Sequence, residues 1–169
     1  LAVKNGAQVT FLSSSALTVN TLSLDGLSSS SVGSILKFDG TLSLTVRTNC
    51  TVHEQTKITG AGGGHPSGQG KGIKSGLAIS QAYGASHGGF GGRPAFSTSV
   101  EEITTSTNGG TYGSFKEPTE LGSGGGKGQS NLGGSGGGAL KLTVGGKLTV
   151  DGTIDVSGAA GKTATPTNY

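Results

Sequence analysis

Apolar and polar residues alternate without a break from Thr41 to His53. Leu42, Leu44, Val46, Thr48, Cys50 and Val52 fall on one face, and Thr41, Ser43, Thr45, Arg47, Asn49, Thr51 and His53 on the other. Side chains of a strand alternate with period two, so the pattern predicts a half-buried strand. The run is longer than a typical strand, and a bend is expected inside it. Val9 with Phe11, Leu17 with Val19, and Leu22 with Leu24 form shorter alternations separated by Ser, Asn, Asp and Gly. These predict short strands broken by corners. The period of two and the Thr, Val, Ile and Gly content exclude helix for these stretches.

The alternations also repeat. Thr21-Leu22-Ser23-Leu24 recurs as Thr41-Leu42-Ser43-Leu44, a spacing close to one coil of many parallel β-solenoids. Towards the C-terminus the repeat tightens to hexads: Leu142-Thr143-Val144-Gly145-Gly146-Lys147, Leu148-Thr149-Val150-Asp151-Gly152-Thr153 and Ile154-Asp155-Val156-Ser157-Gly158-Ala159. Each hexad directs two apolar residues inward, a Thr or Asp outward between them, and a Gly to a corner. Fixed periods of this kind predict a solenoid, whose coils bury their faces by stacking on their neighbours. A hairpin meander is the competing reading, because Asp-Gly at Asp25, Asp39 and Asp151 is also a hairpin-turn signal.

Composition changes the picture between Gly60 and Gly138. The chain has 169 residues and 35 Gly, about three times the usual frequency of ~7%, and most of them lie in this stretch. Collagen is excluded, because there is no three-residue Gly period and only four Pro. A flexible linker is the plainest reading of the glycine runs. Against it stand isolated aromatics, single charges and a Pro placed among the glycines, as in Ser86-His87-Gly88-Gly89-Phe90-Gly91-Gly92-Arg93-Pro94. Such words point to an ordered, glycine-packed excursion in which no Cβ would fit. The expected organisation is N-terminal coils over residues 1–59, the excursion over 60–138 packed on them, and C-terminal coils with a tail over 139–169.

The order of several words resembles a glycine-rich parallel β-helix module of very large secreted or surface, adhesin-like proteins. They are Ile58-Thr59-Gly60-Ala61-Gly62-Gly63-Gly64, Ser86-His87-Gly88-Gly89, Tyr112-Gly113-Ser114, Glu117-Pro118-Thr119-Glu120-Leu121-Gly122-Ser123-Gly124-Gly125-Gly126, and Gly138-Ala139-Leu140 leading into Val150-Asp151-Gly152-Thr153-Ile154. The resemblance spans roughly positions 36 to 160. It implies an extracellular structural or adhesive role and supplies no catalytic residues.

Charge and candidate chemistry narrow the function further. Charged residues are 12% of the chain, and the net charge of +3 comes from basic residues scattered singly, which does not make a nucleic-acid-binding face. No apolar run approaches the ~20 residues of a membrane-spanning helix. The chain opens on Leu1 with no signal segment, as expected of a processed piece of a longer secreted precursor. One cysteine, Cys50, rules out an internal disulfide framework, and it is expected as a small buried hydrophobe. Asn49-Cys50-Thr51 is a glycosylation sequon with Asn49 on the polar face. Phosphate loops fail: Gly161-Lys162-Thr163 has Val156 where the first Gly should stand, and Gly126-Lys127 is followed by Gly128. The carboxylates Asp151 and Asp155, read as adjacent corners, and Glu101, Glu102, Glu117 and Glu120 of the excursion are expected as solvated charges. His53, His65 and His87 have no neighbouring ligands at metal-binding spacing.

The leading expectation is an all-β, parallel β-solenoid (β-helix) with a long glycine-rich insertion, acting as a non-catalytic extracellular structural protein without cofactors. It would be a subunit or repeat of a filament, sheath or surface adhesin. Its partners would be copies of itself or flanking parts of a longer chain, with glycans as further partners. Leu42, Leu44, Val46, Leu142, Val144, Leu148, Val150, Ile154 and Val156 form the expected stacking core, and Asn49 the expected glycosylation site. An alternative is a carbohydrate-binding or carbohydrate-processing β-helix, with Tyr83, Tyr112 and Phe115 stacking on sugars. A minor alternative is an ice-binding solenoid with a row begun by Thr143 and Thr149, interrupted by Lys141, Lys147 and Asp155.

Overall fold

Each short alternation becomes a strand, and the Gly, Asn and Asp residues between them become corners. The computed structural model describes residues 1–26, 33–73, 84–87, 110–114, 116–126 and 133–162. Its strands are β1 (Ala2–Val3), β2 (Gln8–Phe11), β3 (Ser15–Val19), β4 (Leu22–Leu24), β5 (Ile35–Phe38), β6 (Thr41–Val46), β7 (Cys50–Val52), β8 (Lys57–Thr59), β9 (Ala139–Val144), β10 (Leu148–Val150) and β11 (Thr153–Asp155). They form three sheets: a first of β1-β4-β7-β10, a second of β2-β5-β8-β11, and a third of β3-β6-β9. The chain visits the sheets in that order and then starts again, so each strand pairs with one from the next round rather than with its neighbour in sequence.

All eight strand pairs are parallel, which overturns the hairpin meander. No helix occurs among the described residues. The fold is all-β, with parallel strands in stacked sheets. Parallel sheets need cover on their apolar face, and here the three inner faces cover one another. One core joins Val3, Leu22, Leu24, Cys50 and Val52 of the first sheet to Leu36, Phe38 and Ile58 of the second and Leu42, Leu44 and Val46 of the third. Each side chain is essentially buried, and burial of this kind stabilises by roughly 1.5–3 kcal/mol per large apolar residue.

The register corrects three details read from the sequence. The long alternation does bend: β6 ends at Val46, the chain turns over residues 47–49, and β7 begins at Cys50. Thr48 lies in that turn and is exposed, so it leaves the inward row assigned to it. Leu22 and Leu42 are not equivalent positions, because Leu22 stacks on Cys50 in the first sheet while Leu42 stacks between Ser15 and Leu140 in the third. The twenty-residue spacing is therefore not the length of a round. The observed spacings vary, from Ala2 against Ser23 to Ser15 against Leu42 and Thr41 against Ala139, because corners of different length join strands of similar length. The hexads likewise mark sides rather than rounds, since β9, β10 and β11 belong to three different sheets. Thr143 and Thr149 consequently lie on different faces, and no row joins them.

The stretch from Gly60 to Gly138 leaves and re-enters at one corner. Gly138 N–H donates to the Gly60 carbonyl at 2.8 Å, and the Ala139 amide donates to Gly40 at 3.1 Å. Ends held this close let a long insertion interrupt a round without parting β8 from β9. Gly60 also has a packing role. It follows β8 where Phe38 ends β5, and a Cβ there would run into the Phe38 ring, so glycine makes room for the largest side chain of the core.

Candidate functional site

Two features stand apart from the core: the last round of strands and the glycine segments beside it. In the last round the inward apolar residues lose their cover. Leu148, Val150, Ile154 and Val156 are 37–46% exposed, whereas Leu42, Leu44 and Val46, two rounds earlier, are at most 1% exposed. Leu142 and Val144 are intermediate, packed against the core but partly open. Among the described residues no strand pairs with the outer edges of β9, β10 and β11. The nine residues expected to stack thus divide into a buried set on β6, a half-covered set on β9 and an exposed set beyond it. At the opposite end no strand among the described residues pairs with the outer edges of β1, β2 and β3, and Leu12 is 82% exposed.

The glycine segments lie backbone on backbone. Gly64 N–H donates to the Gly136 carbonyl (2.8 Å), the His65 amide to Gly122 (2.9 Å), the Gly122 amide to Gly137 (2.9 Å) and the Gly125 amide to Gly134 (2.8 Å). The chain after β11 joins them, with Gly62 donating to Ser157 and Ala159 to Ser135, each at 2.9 Å. A Cβ at Gly136 would collide with the Gly122 carbonyl, and one at Gly137 with the Val156 carbonyl. Glycine is required there because backbone, rather than side chain, fills the space.

One aromatic pair anchors these segments. Tyr112 and His87 meet edge to face with centroids 4.4 Å apart, and the Tyr112 amide donates to the His87 carbonyl at 2.9 Å. The Tyr112 hydroxyl donates to the Leu121 carbonyl (2.8 Å) and lies 2.7 Å from Ser123 Oγ, which accepts the Gly72 amide (2.9 Å). Tyr112 is half-buried with its ring and hydroxyl engaged in the fold, a poor arrangement for stacking on a sugar. Tyr83 and Phe115 lie outside the described residues. A cavity of about 340 Å³ beside His87 is otherwise lined by glycines, serines and alanines, so it presents a single titratable side chain.

Of the candidate carboxylates, three are brought to lysines rather than to one another. Glu117 pairs with Lys141 (2.8 Å), Glu120 with Lys71 (2.7 Å) and Asp155 with Lys57 (2.7 Å). Asp155 is not a corner residue, since it ends β11 with its side chain beside Lys57 of β8. The hydrogen bond from Lys57, reinforced by those of Ser157, holds its carboxyl well below the usual carboxylate range. Lys141 likewise lowers the Glu117 carboxyl and is itself raised. Glu101 and Glu102 lie outside the described residues. No group of three His, Cys, Asp or Glu side chains is placed to hold a metal ion among the described residues. No helix there is long and apolar enough to cross a membrane.

Asn49 and Cys50 separate as the alternation implies. Cys50 is buried and free, and burial pushes its thiol up. Asn49 is exposed, and its Oδ1 accepts the Lys147 amide of the next round at 2.9 Å. The sequon asparagine is therefore also a corner clamp.

A set of corner residues escaped the sequence reading. Lys4, Asp25, His53 and Asp151 each follow the last inward residue of a strand in the first sheet. Asp25 lies 3.3 Å from Lys4 and 3.3 Å from His53, and a 2.6 Å hydrogen bond from Ser23, before Lys4, lowers its carboxyl. Their shared place after Val3, Leu24, Val52 and Val150 was the available signal, hidden by the unequal spacing of the rounds. Comparison with protein-family models, curated proteins and solved structures returns no match to this chain.

Proposed function

We propose that the chain is a non-catalytic structural module, a parallel β-solenoid that serves in an extracellular filament, sheath or surface adhesin and extends by stacking of strand rounds. The observation that carries this reading is the graded exposure of one apolar surface. Inward residues are buried from β4 to β8, half-covered at β9 and open at Leu148, Val150, Ile154 and Val156. Open strand edges with apolar side chains are templates for further strands, and a solenoid without polar caps stacks on more of its kind. The pairing of Glu117, Glu120 and Asp155 with lysines supports a structural role for these carboxylates, because glycoside cleavage needs two carboxyl groups facing one cleft.

Asn49 is the site of a glycan in this reading, attached through the side-chain nitrogen while Oδ1 keeps its bond to Lys147. Electron microscopy of the purified chain tests the main proposal. Elongated or end-joined particles are expected, and monodisperse single particles at all concentrations would refute it. Mass spectrometry of the peptide containing Asn49 from the native source tests the second part, with an unmodified asparagine as the adverse result.

A further inference from the structure

The rounds are in register, and at one corner basic and acidic side chains alternate. Where the chain turns from the first sheet to the second, successive rounds place Lys4, Asp25, His53 and Asp151. The last three amides donate in the same manner: Asp25 to Val3 at 2.9 Å, His53 to Leu24 at 3.1 Å and Asp151 to Val52 at 2.8 Å. The four side chains thus stand in one column, basic at its first member and acidic at its last. Lys4 and Asp25 are already paired, as are Asp25 and His53. Asp151 is exposed, and its carboxylate has no partner among the described residues.

We propose that a second copy of this chain stacks head to tail on the exposed end, adding its β1 to β10 and its β2 to β11, with Lys4 of the second copy over Asp151. The occupant is set by charge complementarity: the column ends on an unpaired carboxylate, and the other end of the same column supplies an ammonium. In the register that already relates the rounds, Val3 of the second copy covers Val150, and its Lys4 amide donates to the Val150 carbonyl. Val9 of the second copy covers Ile154, continuing the row of Val9, Leu36, Ile58 and Ile154. A tail-to-tail contact would run the paired end strands antiparallel and would not bring Lys4 to Asp151. Among the described residues the third sheet ends one strand lower, at β9, because the chain after β11 runs along the glycine segments. The contact therefore rests on the first two sheets.

This inference rests on the stacking reading and adds its polarity and register. The test mixes two variants of the 169-residue chain, Lys4→Cys and Asp151→Cys, under mild oxidation, with Cys50 buried in both. The mixture is expected to give disulfide-linked dimers several-fold in excess of either variant alone. Equal cross-linking of Asp151→Cys with itself would establish tail-to-tail contact and overturn the proposal. End-joined particles in the microscope without a cross-link in the mixture would overturn the register while leaving the stacking reading intact. Single particles from the unmodified chain would remove the stacking reading itself. In parallel, Asp151→Lys, a change at an exposed corner, is expected to raise the concentration needed for assembly about three- to tenfold at low salt. The difference should shrink near 1 M salt, where charges are screened within about 3 Å. Assembly of Asp151→Lys at the unmodified concentration in low salt would also overturn the contact.

Discussion

The strand stack and the glycine segments beside it bury backbone in opposite ways. In the stack, amides and carbonyls pair in parallel ladders, and side chains such as Phe38 and Leu44 fill the space between sheets. The described residues between Gly60 and Gly138 form no strand, and their backbone lies directly against other backbone. Filling by side chains makes removal of atoms costly. Filling by backbone makes addition of atoms costly. The two regions meet at Gly60, whose missing Cβ accommodates the Phe38 ring and opens the glycine path.

Substitutions that reverse these fillings should have the largest effects. Phe38→Ala removes the largest core side chain and should cost about 3–5 kcal/mol in denaturant unfolding. A loss under roughly 1 kcal/mol, within the range of a well-tolerated swap, would mean that the core is not packed by Phe38. Gly136→Ala adds one carbon where the Gly122 carbonyl lies and should cost about 1–3 kcal/mol. Amide exchange sharpens this case: protection should fall at Gly64, His65 and Gly122 while β3 and β6 keep theirs. Equal loss across the strands would show that the two regions are one cooperative unit.

Smaller effects probe the polar clamps that fasten each region. Tyr112→Phe removes the hydroxyl joining Leu121 and Ser123, with an expected cost of about 1 kcal/mol confined to the glycine segments. Asn49→Ala leaves the Lys147 amide without its acceptor and should cost at most about 1 kcal/mol, since solvent reaches this corner. Acid titration should show the least. The Asp155 and Asp25 carboxyls are lowered in the folded chain, so their contribution is present above the ordinary carboxylate range near pH 4 and is lost as pH falls below it. Asp155→Asn should flatten that acid limb, and an unchanged limb would show that the Lys57 pair does not favour the fold.

Much of the strand stack was legible in the chain. Alternation alone assigned Leu42, Leu44, Val46, Cys50 and Val52 inward and Asn49 outward, because successive side chains of a strand must point to opposite faces. Thr48 was misassigned for the same reason: the period continues through a corner in which the backbone no longer alternates. The exposed end was half legible. Hexads named Leu148, Val150, Ile154 and Val156 as a stacking set but gave no sign that β9, β10 and β11 belong to different sheets. The corner column was not legible at all, since Lys4, Asp25, His53 and Asp151 are unevenly spaced in sequence and meet only through the register.

By itself the amino-acid sequence marked β2–β4, β6, β7 and β9–β11, the side of each that faces the core, and the glycine-rich stretch, while β1, β5 and β8, with Leu36, Phe38 and Ile58, went unmarked. The marked features are local properties, fixed by the two-residue period and by the absence of a Cβ. Only the tertiary structure decided which strand lies on which, because a period of two fits any partner of like pattern and corner lengths, not motifs, set the register. It also decided what the described glycines are for. A glycine in a slack linker and one pressed against a distant carbonyl look identical in sequence, and the carbonyls that press on Gly136 and Gly137 belong to Gly122 and Val156, far away along the chain.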